Sequence, residues 1–166
     1  MLFKKIFIFI FLFIFSSNSF ANTPRSTGKY KNWQSFTAET DQGKICFAQT
    51  SPTKRAPAAV KREKSKLFVT FRPSENIKNE ISITSGHVYK ASTVTAKSGK
   101  RSYSFFSKKN FAWILDDQEE ETFIRLMKKA TDVIVKAKTV KGAETTDHYS
   151  MMGFTKAYNT AKKNCS

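Results

Sequence analysis

Two cysteines, two histidines and no apolar run longer than ten residues are the first scarcities of this 166-residue sequence. Cys46 and Cys165 are far apart and form no C-x-x-C pair, which argues against a redox dithiol. A zinc site needs about four ligands, and His87 and His148 are the only histidines, so a metal pair is the weaker reading too. No G-x-S-x-G elbow is present to raise a nucleophilic serine, and no aromatic-interleaved RNA-binding signature occurs. The longest apolar run, Ile6 to Phe15, is half of the about 20 residues that a spanning helix needs. Acidic residues are scarce as well: 13 stand against 29 Lys and Arg, for a net charge of +16.

Lys4 and Lys5 precede the apolar run, and a polar stretch ending Ser19-Phe20-Ala21 follows it. A basic start, a short apolar centre and small residues at the cut predict a secretory signal peptide over 1–21, cleaved after Ala21. An uncleaved membrane anchor is the competing reading, and the shortness of the run weighs against it. No cysteine follows the cut, so no lipid anchor is expected. Export puts the protein in the periplasm, or secreted at the cell surface. In such an oxidising compartment a lone, well separated cysteine pair reads as one structural disulfide, Cys46–Cys165. Closing a loop of about 100 residues contributes at most about 4–5 kcal/mol in the chain-entropy account.

Cleavage of 21 residues from 166 leaves 145, a length typical of one domain. Residues 22–32, NTPRSTGKYKN, are polar and hold Pro24 and Gly28, which predicts a flexible lead-in. A single domain over 33–166 then begins near Trp33. Short β-prone runs follow: ICFAQ at 45–49, KLFVTFR at 66–72, EISIT at 80–84, STVTA at 92–96, SYSFFS at 102–107 and FAWIL at 111–115. Turn-like breaks at Pro52, Pro57, Pro73, Gly86 and Gly99 separate them, a spacing that suggests a sandwich or barrel. Ile81 and Ile83 alternate with Glu80, Ser82 and Thr84, so that strand should have one wet face.

The period then changes. Asp116 or Asp117 can cap a helix whose first turn is Glu119-Glu120-Glu121 and which ends near Lys128-Lys129, matching the helix dipole at both ends. Phe123, Leu126, Met127 and Ala130 form its core-facing stripe, and Met127 in such a stripe is packing rather than a cofactor box. Alternation resumes at Val133, Val135 and Ala137, and a turn at Lys141-Gly142-Ala143 leads into ETTDHYS.

The stretch TTDHYSMMGFTKA places Asp147, His148 and Ser150 within four positions, the three side-chain types of a hydrolytic triad. On a strand, however, neighbours point to opposite faces, so Asp147 and His148 cannot meet. A half-exposed structural strand is the better reading. Beyond Gly153, Phe154, Ala157, Tyr158, Ala161 and Cys165 share one helical face, which aims the Cys165 sulfur at the core.

The run TTDHYSMMGFTKAYNTAKKNC resembles the C-terminal signature of the invasion associated locus B family, bacterial exported proteins with a T-x-D-x-Y-S, GFT-x-A pattern and a terminal cysteine. Further pieces agree in order: Trp33 and Cys46, VKREKSKLFVTFRP with Arg62, NEISITSGHVYKASTVT with Asn79, Glu80 and Gly86, then FAWIL, IRLMKKA and VIVKAKTVKGAETTD. Met151, Met152 and His87 depart from the pattern. The resemblance covers about residues 33–165. It implies an immunoglobulin-like antiparallel β-sandwich, with one internal and one C-terminal helix, exported to the periplasm or envelope and bridged at its two cysteines. It carries over no catalytic residue and no cofactor.

Charge is the remaining lead. Without Lys4 and Lys5 the chain keeps 27 basic residues against 13 acidic ones, a net charge of +14 that attracts anionic surfaces. Charge is densest in a Pro- and Ala-containing loop, where Lys54, Arg55, Lys61, Arg62, Lys64 and Lys66 face only Glu63. Lys97, Lys100, Arg101, Lys108 and Lys109 form a second group. Anionic lipid, lipopolysaccharide or acidic glycans are the natural partners outside the cytoplasm, and nucleic acid is disfavoured there. A compositional origin of the charge competes with this, because Lys, Asn, Ile and Phe are all enriched. The chain therefore reads as a noncatalytic exported binding module with no metal or cofactor. The alternatives are an assembly partner docking another envelope protein through a sheet edge, and an enzyme using scattered carboxylates such as Glu80, Asp132 and Asp147.

Overall fold

A computed structural model describes residues 23–166, so the predicted signal peptide at 1–21 lies outside the described residues. In chain order the described elements are β1 (Arg25–Tyr30), β2 (Trp33–Thr40), β3 (Gly43–Thr50), β4 (Lys54–Ala56), β5 (Lys66–Arg72), a 3-10 turn (Pro73–Glu75), β6 (Ile77–Thr84), β7 (Val94–Ser98), β8 (Arg101–Lys108), β9 (Phe111–Trp113), α1 (Asp117–Met127), β10 (Asp132–Lys138), β11 (Glu144–Ser150) and α2 (Phe154–Asn164). The fold is mainly β, antiparallel throughout, with the spatial order β1-β2-β3-β5-β6-β9-β8-β7-β10-β11-β4.

β8 joins two wings of this sheet. Its first half, Arg101 to Phe105, pairs with β7, and its second half, Phe106 to Lys108, pairs with β9. β7, β8 and β9 form a meander, and β10 returns to lie beside β7 after a long connection that carries α1. That is a Greek key. The far ends of the wings also touch: the Trp33 indole donates to the Ser150 carbonyl at 2.9 Å, and the Asn32 amide donates to the Met152 carbonyl at 3.2 Å.

Alternation along the strands sends one set of side chains into a common core. Trp33, Leu67, Val69, Ile81, Ile83, Val94, Val133, Val135 and Tyr149 are fully buried there, together with Phe123 and Met127 of α1 and Phe154 of α2. Phe154 packs against Trp33 with ring centroids 4.8 Å apart, and Tyr103 meets Phe123 at 4.6 Å. Each such pair adds about 0.5–1.5 kcal/mol beyond area burial. α1 starts as expected, with the Asp116 side chain accepting from the Glu119 amide at 2.7 Å. Its buried stripe is Glu120, Phe123, Ile124 and Met127, while Leu126 and Ala130 are only partly covered.

α2 buries Phe154, Ala157, Tyr158 and Ala161, as its spacing predicts, and delivers Cys165 to Cys46 on β3. The disulfide spans 119 positions of sequence with Cα atoms 5.8 Å apart. The chain enters α2 through Gly153 at φ 94°, and a Cβ there would collide with the Tyr30 carbonyl oxygen. Only glycine fits.

One expectation is corrected. Most of the predicted flexible lead-in, residues 25–30, is an ordered edge strand paired with β2, and the Tyr30 hydroxyl lies 2.9 Å from that of Thr160 on α2. A polar stretch needs no apolar signal of its own when a neighbouring strand supplies the hydrogen bonds. The strand at Trp33–Thr40 and the three-residue β4 likewise lie outside the β-prone runs of the sequence.

Candidate functional site

The register of the second wing sets out two rows of outward side chains across five strands. One row runs Lys54, His148, Ile134, Lys97, Ser102, and the next runs Ala56, Thr146, Lys136, Thr95, Ser104. All ten are exposed or half-buried, and neither row contains a carboxylate. Three lysines thus stand in the two middle rows of this face, while the flanking rows on the same side carry carboxylates, Asp132 opposite Ser150 and Glu144 paired with Lys138 at 3.1 Å. Such a face favours an extended anionic ligand.

The six basic residues singled out in the sequence do not form one group. Lys54 belongs to this outward face. Arg55, one position on, points inward, because it pairs with the inward Asp147 across β4 and β11. Arg62 is buried beneath the loop, with its side chain 3% exposed. Lys61 and Lys64 stay exposed on the loop, and Lys66 begins β5 on the other wing, half-buried. Burial, then the neighbouring Lys64, lowers the Lys66 pKa. Lys97 came from the second sequence cluster, whereas Lys136 was missed. Its alternation with Val135 and Ala137 was the signal that could have found it.

Asp147 is the centre of the buried polar cluster. Arg62 Nη1 lies 2.8 Å from Oδ1 and 2.9 Å from Oδ2, with hydrogen-bond geometry only toward Oδ2, and Arg55 Nε is 3.8 Å from Oδ1. Arg62 also donates to the carbonyls of Ala56 at 3.1 Å and Ser85 at 3.2 Å, so one guanidinium ties β4, the loop and the end of β6 to β11. The loop closes against Gly86, whose carbonyl accepts from the Glu63 amide at 2.9 Å. Gly86 has φ 74°, and a Cβ there would collide with the Glu63 backbone. Tyr89 and Tyr149 complete the cluster. Burial pushes the Tyr89 phenol up to about 12 and raises that of Tyr149 well above its ordinary value.

The triad types in TTDHYS separate as strand alternation requires: Asp147 is buried, while His148 and Ser150 lie on the outward side. A different pair does meet, His87 Nε2 and Thr145 Oγ1, at 2.9 Å. With Nδ1–H donating to the Val88 carbonyl, Nε2 accepts from the threonine. Thr145 is 2% exposed, so no substrate reaches this hydroxyl, and the contact is a latch holding the 85–89 segment to β11. Burial lowers the His87 pKa, the Val88 carbonyl partly offsets this, and Arg62 adds to the lowering.

The three scattered carboxylates keep separate partners. Glu80 is held by Arg72 at 2.7 and 3.0 Å, Asp132 is exposed at the start of β10, and Asp147 is clamped by Arg62. Among the described residues no three His, Cys, Asp or Glu side chains group where a metal could be held.

A cleft of about 1020 Å³ lies elsewhere, between β6, the N-terminus of α1 and the disulfide. Trp113, Ile77 and Leu115 supply apolar walls, and the charged lining is mixed, with Asp117, Glu120 and Glu121 on one side and Lys78 and Lys162 also facing the cleft. Glu120 is 6% exposed and accepts from the Ile81 amide at 2.8 Å. Burial raises its pKa to about 7, with the Ile81 hydrogen bond opposing and Glu80 reinforcing the shift.

Comparison with protein-family models, with curated proteins and with solved structures found no match to this chain. Among the described residues, no helix is long and apolar enough to cross a membrane.

Proposed function

We propose that this is a noncatalytic exported module that holds an anionic component of the cell envelope or cell surface against the outward face of β4, β11, β10, β7 and β8. The observation that carries the reading is the pair of outward rows containing Lys54, Lys97 and Lys136 with no carboxylate among them. Membership of the invasion associated locus B family, the signal peptide and an immunoglobulin-like sandwich belong to the same proposal. The Greek key around β8 and the disulfide favour it.

Docking of another envelope protein through a sheet edge is less well supported. The outer edge strands are β1 and β4. β1 is bulged between Ser26 and Gly28 and carries Arg25 and Lys29, while β4 is three residues long and followed by Pro57. Bulges, cations, prolines and short lengths are the devices by which sheets guard an edge against added strands.

The test is binding to native envelope vesicles across a salt series, comparing the wild type with the variant Lys54→Gln, Lys97→Gln, Lys136→Gln. Each lysine near an anionic surface contributes about 1 kcal/mol, so the triple variant should bind about 3 kcal/mol more weakly at low salt, with a flatter dependence of affinity on salt. An unchanged slope in the triple variant would remove the face from consideration.

A further inference from the structure

Another group of lysines stands on the first wing. One row of side chains runs Lys29, Gln34, Gln49, Phe68 across β1, β2, β3 and β5. It alternates with the buried Trp33, Ala48 and Leu67, so it faces away from the core. Lys29, Lys31 and Lys66 line a pocket of about 400 Å³ together with the paired Gln34 and Gln49, and no residue lining this pocket is acidic. Its volume suits a small ligand.

The surroundings leave these cations uncompensated. Among the described residues none of the three lysines is ion-paired. The row on one side, Ser26, Phe36, Phe47, Thr70, Glu80, holds one carboxylate, which stands two strands from β3 and is itself held by Arg72 at 2.7 and 3.0 Å. On the other side Lys66 faces Thr84. Burial and then Lys64 lower the Lys66 pKa, the direction expected of an ammonium that has lost water and met a like charge.

Lys31 adds a second, independent observation. It takes the first position of the two-residue turn between Tyr30 and Trp33 with φ 53°, in the left-handed region where Asn and Gly are the usual residues. The turn is pinned: the Asn32 amide donates to the Met152 carbonyl, and the Asn32 carbonyl accepts from Thr50 Oγ1 at 2.7 Å. Backbone strain of this kind gathers at ligand sites.

We propose that this pocket binds a phosphomonoester group through Lys29, Lys31 and Lys66, with the Gln34 and Gln49 carboxamides donating to its remaining oxygens. Such a group carries about −1.5 to −2 charge at pH 7 and three strong acceptor oxygens. It therefore answers three ammonium charges better than a singly charged carboxylate does. Phe68 lies directly across from Gln49, and its ring centroid is 6.2 Å from that of Phe47, two positions along β3. These rings give the acyl part of a lipid-borne phosphate a place to lie, while a soluble phosphate ester uses the polar pocket alone. The pocket shares no residue with Lys54, Lys97 and Lys136, so either site can fail alone.

The test follows the side-chain carboxamide NMR signals of Gln34 and Gln49 while glycerol 3-phosphate is titrated into the folded protein at constant ionic strength. Saturable shifts are expected at both. Lys29→Gln combined with Lys66→Gln should weaken the affinity at least about tenfold. Lys31→Gly should weaken binding while raising Tm, because glycine adopts this turn conformation without strain. The variant Lys54→Gln, Lys97→Gln, Lys136→Gln should bind as the wild type does. Dihexanoyl phosphatidate in place of glycerol 3-phosphate identifies the source: tighter binding that Phe68→Ser abolishes marks a lipid headgroup, and equal binding marks a soluble ester. Shifts that acetate reproduces at equal ionic strength, a titration that never saturates, or an unchanged affinity in the Lys29, Lys66 variant would overturn the assignment.

Discussion

Arg62 offers the sharpest perturbation of the fold. Its guanidinium is almost completely buried, pairs with the equally buried Asp147, and donates to two backbone carbonyls from different segments. Replacement by Met keeps the aliphatic volume but leaves a buried carboxylate with only Arg55 at 3.8 Å. Breaking a buried pair in this way costs about 3–5 kcal/mol, a large part of the roughly 5–15 kcal/mol that stabilises a domain. The orphaned Ala56 and Ser85 carbonyls push the figure toward the upper end. For a chain of this size that corresponds to a fall in Tm of about 10–15 °C. The double variant Arg62→Met, Asp147→Leu should recover most of the loss, because no unpaired charge remains in the interior. Urea denaturation of wild type, both single variants and the double variant, with the disulfide intact, gives the coupling energy directly. A cost below about 1 kcal/mol for Arg62→Met would refute the reasoning, since that is the value of a surface pair.

Other consequences are open to measurement. Glu120 has its folded pKa raised to about 7 from a reference of 4.5, so its favourable contribution is complete below pH 4.5 and is lost as pH rises through 7. Glu120→Gln, which keeps an acceptor for the Ile81 amide, should therefore match the wild type near pH 4 and exceed it in stability above pH 7, by at most about 3 kcal/mol. A pH-independent difference in Tm would contradict this. Reducing Cys46–Cys165 should lower stability by up to about 4–5 kcal/mol without altering the strand content seen by circular dichroism at low temperature. Gly153→Ala should destabilise strongly, through both positive φ and the clash at Tyr30, whereas His148→Ala should change the unfolding free energy by less than about 0.5 kcal/mol, both read from urea denaturation.

Much of this architecture was legible locally. The strands at Lys66–Arg72 and Glu144–Ser150, the Asp116 cap and the buried stripe of α2 follow from alternation, capping chemistry and helical spacing within a few residues. The edge strand Arg25–Tyr30 was not, because its order comes from β2 and from Thr160, which lies 130 positions away from Tyr30. The same limit explains the charge cluster. Arg62 looked like one more solvated cation in a basic loop, and only the fold brings Asp147, 85 positions on, into contact with it. Arg55 and Lys54 are adjacent in sequence yet face opposite ways once β4 pairs with β11. The cationic face draws Lys54, Lys97 and Lys136 from three strands, so no window of sequence contains it.

The most direct test of the anionic-face account is a map of amide chemical-shift changes when the folded domain meets phosphatidylglycerol nanodiscs. The account predicts that the largest changes fall on residues 54–56, 95–97, 102–104, 134–136 and 146–148, and that they vanish in the lysine triple variant. Changes confined to the 61–66 loop, or centred on Trp113 and Leu115, would contradict it.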